Sequence, residues 1–240
     1  MSRTRPRMRT LPWLAAPFAI ALVATSLDSS AQSSSWYAGA ALGQSRTNAS
    51  IIRDREAAIG PPVVGDLNSS ADLKDSAGKL WVGYKLSRHF AVEGYWADHG
   101  NQRIFTTFLV PGGPTGPGSI LTERDVSGFG LDLVASAPVA NGFSILGKLG
   151  AFRGKVESTT TIAGDVVFND GLGGNTRSAT DNDTVLKFGV GAEYAFTPQW
   201  SARLEWERVT DLGRQLTPGS RGVTGKADMD TLFLGASYRF

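Results

Sequence analysis

Residues 231–240 read TLFLGASYRF. Leu232, Leu234, Ala236, Tyr238 and Phe240 fall on one side of an extended chain. Thr231, Phe233, Gly235, Ser237 and Arg239 fall on the other. Successive side chains of a β-strand point to opposite faces, so this alternation marks a strand with two different environments. About ten residues is also the length a tilted strand needs to cross a bilayer. Upstream segments repeat the pattern. Phe129, Leu131 and Leu133 alternate with Gly130 and Asp132, and Ile145, Leu149 and Ala151 alternate with Lys148 and Gly150. One face is apolar and the other small or charged, which suits a closed barrel with lipid outside and a filled lumen inside.

Strands are predicted over 36–45, 77–86, 90–99, 126–136, 143–153, 185–195, 200–210 and 229–240. The links at 87–89, 137–142 and 196–199 are short. Those at 46–76, 100–125, 154–184 and 211–228 are long and rich in Gly, Ser, Asn, Asp and Pro. Strict alternation of long and short links is expected of an outer-membrane barrel with tight periplasmic turns and extended outer loops. A soluble sandwich has no reason to sort its loops in this way. Within the link at 100–125, Arg103–Val110 and Ser119–Asp125 flank the turn-rich VPGGPTGPGS and read as a protruding hairpin. Within 154–184, Val156–Ile162 and Asp165–Phe168 flank Gly164, and both hairpin and plain loop stay open. The fold class expected is all-β: an eight-stranded, antiparallel, up-and-down transmembrane β-barrel with four long extracellular loops.

The first residues read as a secretory leader. Arg3, Arg5, Arg7 and Arg9 precede an apolar run from Leu11 to about Ala24, and Ser29 and Ala31 stand at the −3 and −1 positions of a small-residue cleavage site. A helix of ~13 residues spans only ~20 Å, short of a bilayer's hydrocarbon core, and Pro12 and Pro17 weaken it further. The domain reading is therefore a cleavable signal peptide at 1–31 and a barrel at 32–240. The remainder contains no apolar run long enough for a transmembrane helix, so a membrane-resident form has to be a closed barrel. Residues 1–31 hold four arginines and one acid, which leaves 20 basic and 21 acidic side chains in the remainder. The overall pI near 9.0 thus reflects the leader and gives no support for nucleic-acid binding. Cysteine is absent, which excludes disulfides and thiolate metal sites.

Candidate functional residues fall into sets. Trp36, Tyr84, Phe90, Phe143, Trp200, Tyr238 and Phe240 lie at the periplasmic strand ends on the lipid side, with Trp96 and Trp206 further up. Amphipathic rings favour the headgroup level, so these form the predicted aromatic girdle. By alternation Lys79, Lys85, Lys148, Lys187 and Arg203 face inward with Glu93, Asp132, Glu193, Glu205 and Glu207, beside Trp81, Tyr95, Phe152 and Phe233. Such charges either pair and fill the lumen or line a narrow pore; an interior only wide enough for side chains favours filling. A lipid-modifying enzyme needs a histidine near a nucleophile. His89 falls in a short turn and His99 at an outer strand end, and both read as surface residues, so no catalytic residue is expected. Asp181-Asn182-Asp183 resembles a calcium loop only in its first acids, and no metal or cofactor is expected. Arg153 and Lys155 would stand near lipopolysaccharide phosphates.

Four segments resemble the transmembrane domain of the outer membrane protein A family: WYAGAALGQS (36–45), VGYKLSRHFAVEGYWADHG (82–100), AEYAFTPQWSARLEWERV (192–209) and TLFLGASYRF (231–240). Together they carry strands along the whole mature chain and none of the long loops. The resemblance implies an outer-membrane location with both mature termini periplasmic. In the related barrel, residues matching Glu93, Glu193 and Arg203 form an interior ion-pair network, which implies a candidate gate. Tyr238 and Phe240 match the terminal signal read by the barrel-assembly machinery, so that machinery and periplasmic chaperones are implied partners. The resemblance departs at Val134, where the relative carries an inward lysine. It also departs after residue 240, where the peptidoglycan-binding domain of full-length relatives is missing; the expectation is a barrel-only form. The functional reading is a monomeric scaffold for envelope integrity or surface adhesion through its loops. A narrow pore is the alternative, and a lipid A-modifying enzyme comes third.

Overall fold

The computed structural model describes residues 35–52, 65–109, 117–164, 173–214 and 225–240; the signal peptide expected at 1–31 lies outside them. The strands are β1 (Trp36–Thr47), β2 (Gly65–Asp72), β3 (Lys74–Lys85), β4 (Phe90–Leu109), β5 (Pro117–Ala140), β6 (Phe143–Ala163), β7 (Thr176–Ala195), β8 (Trp200–Leu212) and β9 (Ala227–Arg239). Hydrogen-bonded neighbours run β2-β4-β3-β1-β9-β8-β7-β6-β5, and pairing of β4 with β5 closes the ring. Every pairing is antiparallel. Closure satisfies the ladder's backbone groups without leaving an open edge in lipid, as a spanning sheet requires.

Nine elements stand where eight are predicted, because the link at 46–76 contains β2. Only Leu73 separates β2 from β3, and both pair with β4. They occupy one place in an eight-membered ring, divided by an irregularity opposite Asp98–Asn101. Gly100 takes a φ of +76° there, and a Cβ on it would stand 2.6 Å from Asp75 Oδ2. The Asp75 carboxylate accepts from the amides of Asn101 (2.6 Å) and Ser76 (2.7 Å). The Asn101 amide above all holds that carboxyl below the usual carboxylate range.

The described parts of the links at 100–125 and 154–184 are mostly strand. β4 and β5 stay paired as far as Leu109↔Pro117, and β6 and β7 as far as Thr161↔Thr176. The hairpin expected at 100–125 is present; at 154–184 the Val156–Ile162 run pairs with the segment from Thr176 onward, while Asp165–Phe168 lies outside the described residues. Turn-type residues signal irregular chain, but here threonine and β-branched runs such as Thr159–Ile162 take over. The short turns at 87–89 and 196–199 match expectation and share a device, while the link expected at 137–142 shrinks to 141–142 because β5 runs to Ala140. The Ser87 hydroxyl accepts from the amides of His89 and Phe90, and the Thr197 hydroxyl accepts from those of Gln199 and Trp200.

The outer face carries a belt of exposed apolar side chains, with Leu42 78% exposed, Phe129 68% and Leu234 65%. Surface of this kind, continuous around a ring, requires lipid to cover it. The belt ends abruptly toward the long hairpins at the outward-facing Arg46, Asp98, Asp125, Arg153, Arg208 and Asp230. Arg208 and Asp230 pair there in a fork of 2.7 and 2.8 Å.

Inside, each large aromatic faces a glycine across the ladder: Tyr37↔Gly83, Trp81↔Gly39, Tyr95↔Gly130, Phe152↔Gly130 and Phe233↔Gly43. The rings lie over the space a Cβ would fill. A Cβ at Gly130 would stand 2.2 Å from the Tyr95 ring, and one at Gly83 2.2 Å from that of Tyr37. Large and small positions interlock, which fixes register as well as volume. Gly130→Ala should therefore displace Tyr95 and cost about 1–3 kcal/mol, the usual range for overpacking. The urea midpoint of the refolded barrel measures it, and an unchanged midpoint would contradict the interlock.

Candidate functional site

The lumen charges assemble into one chain of alternating sign. Glu193 Oε2 accepts from Arg203 (2.7 Å), whose guanidinium also reaches Glu93 Oε1 at 2.6 Å. Lys148 Nζ lies 2.6 Å from Glu93 Oε2 and 2.6 Å from Glu205 Oε1. Lys79 bridges Glu205 and Glu207, and Lys187 bridges Glu207 (3.0 Å) and Asp132 (2.6 Å). The Tyr37 hydroxyl donates to Glu93 Oε1 at 2.8 Å. These groups come from β1, β3, β4, β5, β6, β7 and β8. All the charged members are buried except Glu193, whose side chain is 17% exposed.

Alternation is what puts them there. Arg203, Glu205 and Glu207 share one face of β8, while Leu204 and Trp206 take the lipid side. Val134 pairs with Lys148 on the next strand. Lys148, its cross-strand neighbour, contacts Glu93. Lys85 does not join the chain; it lies half-buried at the short-turn mouth, and no ion pair of its own is found among the described residues.

Aromatic rings complete the coordination of the lysines. Lys187 Nζ stands 3.9 Å from the Tyr95 ring centroid, and Lys79 Nζ 4.8 Å from Tyr95 and 5.6 Å from Phe233. Above them sits His99, which corrects its reading as a surface residue. It is 2% exposed, its Nδ1 lies 3.0 Å from Thr231 Oγ1, and its ring packs edge-on to Phe152. The outer end of the predicted strand is interior because β4 continues past it. His99 shares the face of Glu93, Tyr95 and Ala97, so alternation alone carried the signal. A further layer is also buried: Arg124 donates to Gln102 Oε1 (3.1 Å) and to the Leu212 carbonyl (3.2 Å), beside Val126, Val156 and Met229. Arg124 and Gln102 were legible as charge and amide but fell in or beside a hairpin read as protruding from the barrel, and Tyr37 went unweighed beside Trp36.

The girdle residues divide into two rows. Trp36 packs edge-on to Tyr84 at 5.0 Å, Trp200 to Tyr238 at 5.0 Å, and Tyr238 to Phe240 at 5.4 Å. Phe143 pairs with Tyr194 in the same row. Trp96 beside Phe129, and Trp206 6.0 Å from Phe188, form the upper row below the charged ring. Asp181-Asn182-Asp183 lies in β7 and not in a loop, so its acids point opposite to Asn182. Among the described residues no three His, Cys, Asp or Glu side chains are grouped to hold a metal. Arg153 and Lys155 are likewise strand residues of β6, on its outer face, with Lys155 2.9 Å from Glu157. His89 sits in its turn, with Nδ1 3.1 Å from the Ser136 carbonyl.

Taking one member from a buried ion pair strands its partner, at about 3–5 kcal/mol. Contact number then orders the acids. Glu207 touches Lys79, Lys187 and, at 3.9 Å, Lys148, whereas Glu193 touches Arg203 alone and meets solvent. Glu207→Ala should lower the denaturation midpoint clearly more than Glu193→Ala. Equal losses would contradict a connected chain.

Comparison with known proteins agrees with this architecture. The family model described as "Outer membrane protein beta-barrel domain" matches residues 15–240. Outer membrane protein A of Serratia marcescens is 26% identical over 232 residues, covering 95% of this chain and 55% of that protein. The protein of the same name from Yersinia pseudotuberculosis is 27% identical over 231 residues, covering 92% and 54%. The chain thus spans about half the length of the curated relatives it matches. Among solved structures, the attachment invasion locus protein Ail of Yersinia pestis superposes over 87% of this chain and 100% of its own, with a TM-score of 0.46 and 17% identity. With a family match over nearly the whole sequence, the chain belongs to the outer membrane protein β-barrel family and resides in the outer membrane.

Proposed function

We propose that the protein is a non-enzymatic, monomeric scaffold that displays a binding sheet outside the outer membrane and contributes to envelope integrity. The observation that carries this is the continuation of β4, β5, β6 and β7 as paired strands well past the charged ring that ends the lipid belt. A barrel needs no such extension to span the bilayer. Its outward face bears exposed Phe105, paired with Leu121, and Leu109 beyond the reach of the belt. Exposed apolar side chains in a polar surround mark contact surfaces. Arg103 and Glu123 pair beside them at 3.0 Å, and threonine and serine hydroxyls fill the rest of the sheet.

The filled lumen supports a scaffold over a porin-like pore, because buried side chains from every ring strand meet across it. Catalysis is disfavoured by the positions of the two histidines, one in a turn and one sealed in the barrel. The outward Arg46, Arg153 and Arg208 suit lipopolysaccharide phosphates at the ring. Tyr238 and Phe240, latched between Trp36 and Trp200, suit recognition by the barrel-assembly machinery and its periplasmic chaperones. Residues 1–31 act in this reading as a cleaved export signal, leaving 32–240 as the barrel.

Attachment of bacteria expressing the protein to epithelial cells and to polystyrene tests the reading. Phe105→Ser with Leu121→Ser, or replacement of both hairpins beyond the charged ring by short turns, should reduce attachment several-fold. The barrel should keep its heat-modifiable gel shift. Undiminished attachment with a folded barrel would remove the sheet from the function.

A further inference from the structure

The short-turn mouth of the barrel is a separate feature from the lumen chain that floors it. It opens as a shallow vestibule between the turns at 86–89 and 196–199. Lys85, Arg88 and Arg239 line it, and the one carboxylate among its lining residues, Glu193, already accepts two hydrogen bonds from Arg203. Among the described residues no ion pair is found for any of those three cations, although partners at 4 Å occur throughout the lumen. Arg239 and Arg203 both repel Lys85 across the vestibule, and Glu193 attracts it. Arg239 Nε is buried and has no hydrogen-bond partner.

Cations collected without counter-charge cost free energy unless an anion joins them. The remaining walls suit one. The Ser201 and Ser237 hydroxyls, 2.8 Å apart, and Gln199 line the same space, with buried Val134 and Leu146 beside them. A guanidinium offers a planar fork to an oxyanion, and a lysine opposite adds a point charge. A phosphate group carries about −1.5 to −2 charge, which offsets most of the excess, and has acceptor oxygens for donors on several sides.

We propose that this vestibule is a phosphate-binding site on the periplasmic side of the barrel, with Arg239 and Lys85 as its principal ligands. The phosphate is either a small periplasmic anion or the headgroup of an inner-leaflet phospholipid, and both present the same oxygens. Binding ties β3 to β9 across the mouth and discharges the repulsion between Lys85 and Arg239.

The Arg239 Nε–H resonance reads the site directly, since it is the donor without a partner. In maltoside micelles, which contain no phosphate, inorganic phosphate added at constant ionic strength should shift this resonance saturably. The midpoint should fall in the millimolar range or below, and Lys85→Gln should weaken binding about tenfold. Arg88→Gln, placed in a turn, gives a second variant if Lys85→Gln folds poorly. In glycerophospholipid nanodiscs a resonance already at the bound position identifies the headgroup as the source. A resonance that still titrates there identifies the free anion. A shift reproduced by chloride alone, or one insensitive to both variants in a folded barrel, would overturn the site.

Discussion

The pairing of charge inside the lumen is the constraint on which the rest of this molecule depends. A closed eight-stranded ring leaves an interior of fixed, small width, and what fills it must satisfy itself without water. Here the filling alternates from Glu193 through Arg203, Glu93, Lys148, Glu205, Lys79, Glu207 and Lys187 to Asp132. Each interior member has an opposite charge on both sides. The chain crosses strands that are distant in sequence, so it favours one closure of the ring over slipped alternatives. The aromatic–glycine interlock acts in the same direction by a different force. A one-residue slip would place Tyr95 against a side chain in place of Gly130 and turn Lys187 toward lipid.

That interior division lets the two ends of the barrel differ. Toward the hairpins, the charge chain gives way to His99, Arg124, Gln102 and a buried apolar cap of Val126, Val156, Leu212 and Met229. Above that cap the sheet is free of the membrane's demands, and its composition changes to threonine, serine and scattered exposed apolar residues. Toward the short turns, the chain ends at Arg203 and Glu193 and leaves a cationic mouth. The same architecture thus offers a broad surface on one side of the membrane and a small polar recess on the other.

Much of this was legible in the sequence, because period two is a strong signal when both faces are specified. The alternation of Glu205 and Glu207 with Leu204 and Trp206 was enough to put the acids inside, and the Ser87 and Thr197 turns fell where expected. What escaped notice lies beyond the membrane belt. There neither face is lipid-covered, so alternation loses its contrast, and strands such as β2 and the outer half of β7 read as loop. His99 and Arg124 were missed for the same reason: His99 closes a predicted strand and Arg124 lies in the hairpin arm just before another, both at the edge of the apolar pattern. Which acid meets which base was not legible, since it depends on the stagger of strands around the ring and not on any one strand.

The claim that the lumen is a filled, self-paired core is most directly tested by planar-bilayer recording of the refolded barrel, residues 32–240. A core closed by buried charge predicts a folded, heat-modifiable protein without steady conductance. Stable openings in the native protein that change in size or frequency with Glu93→Ala would contradict it, and would mean that the ion chain moves aside to pass solute.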